Sequence, residues 1–331
     1  MDISAERPVG GAIMTPARKR RKFTGATLTW LAVTPFAAWA VARLAGLERG
    51  SVATQLMTAT PYAAAGSLLP LLIAAAGRKK AATVVALLTS TALGFSVLPR
   101  ALGSADAAAG RPFRVLTINM LFGRADAQTI VDLVRRYDPD VLSTQELTPG
   151  AVDNLDTAGL KDLMPHRVLE AEWDAGGSGL FSKHPVEALP DLVPPVGHKM
   201  PAAMVSLPGG KPIEFVDVHP YPPLGPQVVN WTEALQALPS ASSDTIRVLA
   251  GDFNASLDHA SMRQLVGRGY KDAADEVGAG LIPTWPANKR IPPIITIDHV
   301  LVDQRVGVQE VSVLDVPLTD HRAVFAALTV P

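Results

Sequence analysis

Three stretches in the first hundred residues carry no charged side chain: Phe23 to Ala42, Ser51 to Gly77 and Ala81 to Pro99. Each is close to the ~20 residues a helix needs to cross a bilayer, which narrows the possible folds more than any other feature. Three buried helices of a water-soluble domain would need polar faces, and these stretches lack them. A single signal peptide accounts only for the first, because two more follow and no convincing cleavage site stands after it. The expected layout is a basic cytoplasmic tail over 1–22 and three transmembrane helices at about 23–46, 51–77 and 81–99. A linker over 100–112 and a domain over 113–331 complete it. Pro61 and Pro70 fall in the second stretch, where a bilayer bundle tolerates them. Arg18 to Lys22 precede the first stretch and Arg78 to Lys80 separate the second from the third. The positive-inside rule makes both clusters cytoplasmic. Three crossings then put everything after Pro99 outside the cell membrane, on a short, flexible tether containing Ala, Gly and Ser.

Charge divides the chain at the same place. Residues 1–111 hold 13 Lys and Arg against 4 Asp and Glu, and residues 112–331 hold 17 against 27. A domain at −10 repels a polyanion at long range, and no basic run with interleaved aromatics follows Pro112. Both facts argue against nucleic acid as a partner. The bilayer is the expected partner, and no segment marks an obligate protein partner. With no cysteine, disulfides and thiolate metal sites are excluded.

From Arg114 onward the pattern alternates between strands and helices, predicting an α/β sandwich. Strands are expected at Arg114–Asn119, Asp140–Glu146, Gly177–Ser182, Ala202–Leu207, Ile213–His219, Ile295–Val302 and Val324–Val330. The run Val248 to Ala250 before Gly251-Asp252-Phe253-Asn254 reads as another, ending in a tight turn. Helices are expected over Ala127–Tyr137, stopped by Pro139, and Asn230–Leu238. Asn119, Glu146, His219, Asp252, Asn254, Asp298 and His321 all sit at or near an end of an apolar strand. An α/β sandwich gathers such ends into one cleft, where ligands bind.

The series resembles the endonuclease/exonuclease/phosphatase superfamily, the fold of DNase I. Asn119 in Leu-Thr-Ile-Asn, Glu146 in Thr-Gln-Glu and His219 in Asp-Val-His match three of its motifs. Gly251 to Asn254, Asp298-His299 and Thr319-Asp320-His321-Arg322 match three more, in the family's order. The resemblance implies a four-layer sandwich, two mixed sheets flanked by helices. The layout with preceding spans also resembles the VanJ-type membrane proteins linked to glycopeptide resistance. One departure is visible: the region where DNase I supplies a glutamate partner for the histidine at position 219 reads Gly176-Gly177-Ser178-Gly179.

What the resemblance implies is a phosphoric ester hydrolase using Mg²⁺ or Mn²⁺. Glu146 is a hard oxygen ligand, with Asp320 and Asn119 as further candidates at the metal. His321 and Asp298 form a dyad, His321 acting as general base or as a charge-stabilising imidazolium. Asp252 orients or deprotonates the attacking water, and Asn254, Asn119 and His219 donate hydrogen bonds to phosphoryl or leaving oxygens. His166, His184, His198, His259 and His299 read as loop or packing residues. With no His-Glu-x-x-His or Cys-His cluster, zinc is not expected. Specificity is expected from two loops, Val193 to Met200 and Thr284 to Pro293, the second carrying Trp285, Lys289 and Arg290 as candidate substrate contacts. The expected activity is outward-facing hydrolysis of a lipid-linked phosphate ester or pyrophosphate. The alternatives are an extracellular nuclease or phosphodiesterase of the same fold and a silent sensor or scaffold.

Overall fold

Period-two alternation gives each strand after Arg111 two faces, and the fold uses both. The computed structural model describes residues 25–106, 110–288 and 291–331. Its strands, in chain order, are β1 (Arg111–Asn119), β2 (Val141–Gln145), β3 (His166–Glu170), β4 (Ser178–Ser182), β5 (Val186–Ala188) and β6 (Ala202–Val205). They continue with β7 (Ile213–Val218), β8 (Ile246–Asp252), β9 (Tyr270–Asp272), β10 (Asp298–Asp303), β11 (Gly307–Asp315) and β12 (Arg322–Val330). The helices are α1 (Gly25–Ala45), α2 (Gly50–Met57), α3 (Thr60–Gly66), α4 (Leu68–Ala76), α5 (Lys80–Val97) and α6 (Ala127–Tyr137). They continue with α7 (Pro149–Thr157), α8 (Leu160–Leu163), α9 (Val228–Ala237), α10 (Ala260–Val266) and α11 (Ala273–Glu276).

Two six-stranded mixed sheets, ordered β11-β12-β1-β2-β4-β3 and β5-β6-β7-β8-β10-β9, pack face to face. Phe113, Val115, Phe215, Val248 and Val300 meet between them. Burying a side chain such as Phe113 or Phe215 contributes about 1.5–3 kcal/mol. On the outer face of the first sheet, Leu116 and Ile118 pack with Ile130 and Val134 of α6 and Leu155 of α7. On that of the second, Val216 and Leu249 pack with Trp231 of α9 and Leu265 of α10. The result is the expected four layers. Each sheet has one central parallel pair, β1 with β2 and β7 with β8, crossed by α6 and α9 respectively. Asp126 caps α6, accepting from Thr129 N at 2.8 Å, and Asp138 in the left-handed conformation ends it before Pro139.

The N-terminal helices leave large apolar side chains uncovered: Leu31, Leu72, Leu88 and Phe95 face outward, while Val33, Ala74, Ala82, Ala86 and Leu93 are buried. Two helices, Gly25–Ala45 and Lys80–Ala101, are long and apolar enough to cross a membrane. The second expected span is not one straight helix. It breaks after Met57, and Gly50–Met57 meets Thr60–Ala76 at 65°, with Pro61 in the first turn of α3.

The tether also differs from expectation. Arg100 reaches Asp258 with two hydrogen bonds of 2.9 and 2.7 Å, joined there by Arg43 Nε at 3.0 Å. Gly103 lies so close to the Asp275 and Glu276 carbonyls that a Cβ would meet them at 2.4 and 2.3 Å, and Asp106 N donates to Val308 O at 2.8 Å. Residues 100–106 are therefore docked rather than free. The basic tail lies outside the described residues.

Candidate active site

Between the sheets, side chains change character along the strands. On β1 the inward positions run Phe113, Val115, Thr117, Asn119, and on β8 they run Ile246, Val248, Ala250, Asp252. The apolar core thus passes into a hydrogen-bonded layer and then into charge. In the middle layer Gln145 Nε2 donates to Asp217 Oδ1 at 2.7 Å and Thr117 Oγ1 at 3.1 Å, and Gly179 N donates to Asp217 Oδ2 at 3.1 Å. Burial pushes Asp217 up to about 8 in spite of these donors.

Above that layer the strand ends converge. Asp252, last in β8, stands directly opposite Asp298, first in β10, so register alone sets two carboxylates side by side. Gly251 lets the chain come that close: a Cβ there would meet Val218 O at 2.1 Å. Asn119 Nδ2 donates to Asp252 Oδ2 at 3.1 Å and Glu146 Oε1 at 3.2 Å, tying β1 to both. Phe122 N donates to Glu146 Oε2 at 2.7 Å, reached because Glu146 adopts a left-handed φ of 54°. His321 Nδ1 lies 3.0 Å from both oxygens of Asp298, while Nε2 faces Asp252 Oδ2 at 3.6 Å and Asp320 Oδ1 at 4.0 Å. His219 Nε2 lies 4.0 Å from the same Asp252 oxygen.

These contacts set the charges. Burial pulls His321 down, but Asp298 and Asp252 outweigh it and hold it up at about 10, so it is an imidazolium at neutral pH. Burial, only partly offset by His321, pushes Asp252 up to about 7. Glu146 is also raised by burial. His219, held well below its ordinary range by burial and by the neighbouring His198 and His321, is neutral. Four carboxylates, Glu146, Asp252, Asp298 and Asp320, thus face one imidazolium, a negative excess that calls for a cation. Asp252, Asp298 and His321 form a buried group whose ligand atoms lie within 4.8 Å of one another and could hold a metal ion. As an imidazolium His321 has no lone pair for a metal, so the donors to such an ion are carboxylate oxygens, which suit Mg²⁺ or Mn²⁺.

All eight strand-end and loop residues expected at the site from Asn119 to His321 are gathered here. Asn254 lines the cleft, with its Nδ2 donating to Pro220 O at 3.1 Å rather than pointing free. Trp285 also lines it and donates from Nε1 to Asp320 Oδ2 at 3.1 Å. Lys289 and Arg290 lie outside the described residues. His198, in the expected Val193 to Met200 wall, lines the cleft and packs its ring centroid 4.4 Å from that of His219 and 4.3 Å from that of Tyr221. His259 and His299 are structural, bonded to Thr54 O and to Asp272 with Ala255 O. The cleft encloses about 510 Å³, a volume typical of a small-molecule site.

The model of the endonuclease/exonuclease/phosphatase family matches residues 116–321. No curated protein matches the chain. Among solved structures, an endonuclease/exonuclease/phosphatase from Beutenbergia cavernae DSM 12333 superposes with a TM-score of 0.54 at 19% identity, over 66% of this chain and 72% of that one. D. rerio TDP2 complexed with a single-strand DNA product gives 0.51 at 17% identity, over 66% of this chain and 99% of that one. The Bacteroides thetaiotaomicron VPI-5482 mannosyl-6-phosphatase Bt3783 gives the same 0.51, 17%, 66% and 99%. What they share with this chain is the fold.

Proposed function

The chain belongs to the endonuclease/exonuclease/phosphatase family, and from that premise we propose a membrane-anchored, metal-dependent phosphohydrolase whose site faces outward and acts on a lipid-linked phosphate ester or pyrophosphate. The observation that carries this reading is the convergence of Glu146, Asp252, Asp298 and Asp320 around His321, in a cleft partly walled by the apolar N-terminal helices. Glu146 and Asp320, with Asn119 behind them and the Asp252 and Asp298 carboxylates beside them, are the residues that would hold Mg²⁺ or Mn²⁺. A cation held there would supply positive charge to neutralise phosphoryl oxygens and to acidify water.

The chain's own groups divide the remaining work. Asp298 fixes the His321 ring, so that the imidazolium Nε2–H faces the cleft and can stabilise charge on phosphorus. Asp252, poised at about 7, is the group able to accept a proton from the attacking water. Asn119 keeps Asp252 and Glu146 at a fixed separation. Neutral His219 offers a hydrogen bond to the departing oxygen.

The relatives named above include a DNA-bound protein and a sugar phosphatase, so the fold does not choose the substrate. Charge favours a lipid-linked one: the 112–331 part stands at −10 and would repel a polyanion such as DNA. The outward orientation rests on the basic clusters and the number of apolar helices, and the likeness to VanJ-type proteins adds a link to glycopeptide resistance. The test is the purified full-length chain with Mg²⁺, assayed in parallel on lipid-linked phosphates and on plasmid DNA. Lipid turnover without nicking is expected, and nicking without lipid turnover overturns the substrate. A silent scaffold is excluded if His321→Ala abolishes the cellular effect while the protein still reaches the membrane.

A further inference from the structure

Away from its acidic floor the cleft is apolar and is built from both parts of the chain. Leu121 and Phe122 follow β1, Pro222 to Leu224 follow His219, and Ile294 and Ile295 lead towards β10. Gln55 of α2 and Thr58 just beyond its end close the helical side. The same helices hold the two flanking loops. Ser51 Oγ donates to Pro223 O and accepts from Gly225 N, both at 2.9 Å, while Gln55 Nε2 donates to Ser51 Oγ at 2.7 Å. On the opposite wall the Tyr62 hydroxyl donates to Ile294 O at 2.7 Å. The 65° bend sets the α2–α3 elbow against the cleft, and beyond it α4 exposes Leu68, Leu69 and Leu72.

We propose that this apolar slot binds the hydrocarbon chain of an amphiphilic phosphate, with the α2–α3 elbow as its specificity-determining wall. The proposal rests on the phosphohydrolase reading and adds where the non-phosphate part of the substrate lies. Two features select this occupant. Leu121, Phe122, Pro222, Leu224, Ile294 and Ile295 give the slot walls that an alkyl or prenyl chain covers without leaving a polar group of its own unpaired. The elbow also leads to helices whose large apolar side chains already face outward, so a chain leaving the slot stays in apolar surroundings. The helical region is then part of the site and not merely its anchor.

The test is equilibrium binding of monoalkyl phosphates of increasing chain length to the full-length chain in amphipol, with Mg²⁺, for wild type and two variants. Leu224→Asp and Gln55→Glu each put a carboxylate in the slot, one from each part of the chain, so that failure of either to fold leaves the other. In wild type the Kd is expected to fall about fourfold per methylene until the slot is full, and both variants flatten that dependence. A Kd independent of chain length, or one with the same slope in the variants, overturns the slot while short-chain binding leaves the phosphate site standing. Absence of binding at every length, ethyl phosphate included, refutes both.

Discussion

Replacing Asp298 by Asn keeps the shape of the His321 contact and removes its charge. Both Asp298 oxygens lie 3.0 Å from His321 Nδ1, and the amide oxygen of Asn can still accept from that nitrogen. An opposite charge at this range moves a pKa by about 1–3 pH units. His321, held at about 10, is therefore expected to fall by about two. At about 1.4 kcal/mol per pH unit, the imidazolium loses roughly 3 kcal/mol of its stabilisation. At pH 7 a His321 at about 8 still carries its proton. The loss shows at pH 9, where wild type keeps most of the charge, the variant has lost most of it, and kcat falls about tenfold. The assay pairs steady-state hydrolysis with imidazole ¹⁵N shifts of His321 titrated in EDTA, where no cation competes. A kcat at pH 9 within threefold of wild type, or an unmoved His321 titration, refutes the reasoning about the dyad.

Two further outcomes concern stability. Asp217 keeps its proton to about pH 8 in the folded chain and loses it near pH 4 when unfolded. The folded state thus binds more protons between those values, so its stability falls as pH rises from about 4 to 8, by several kcal/mol in total. Asp217→Asn removes that slope, which thermal unfolding at pH 5 and pH 8 reads directly; an equal slope in both proteins contradicts the assignment. Asp258→Asn leaves the buried guanidiniums of Arg43 and Arg100 without their shared carboxylate, at a cost of about 3–5 kcal/mol. The Tm of the full-length chain is expected to drop by roughly 10 °C, and a drop under 2 °C argues that the helices and the sandwich are not coupled there.

All eight central strands are legible in the sequence, and all four edge strands, β3, β5, β9 and β11, are not. Central strands are covered on both faces and read as continuous apolar runs. Edge strands such as His166–Glu170 and Gly307–Asp315 are short or half-exposed, and their polar residues resemble loop. Strand-end polar residues marked the site well, because Asn119, Asp252 and Asp298 complete inward-facing positions that period two already assigns. His198 is legible only as part of the Val193 to Met200 wall, because a ring tilted against that of His219 leaves no spacing signal. The contributions of Ser51 and Tyr62 escaped because contacts to residues more than 170 positions away have no local signature. The same is true of Arg100 on Asp258, which turns an apparently flexible Ala- and Gly-containing linker into a docked one.

Titrating the full-length chain with Mn²⁺ and following the free ion by electron paramagnetic resonance reads the cation site without relying on turnover. Wild type is expected to take up ion saturably, with Glu146→Gln and Asp252→Asn each weakening uptake at least tenfold. Uptake unchanged in both variants would mean that these carboxylates meet for some purpose other than holding a divalent cation.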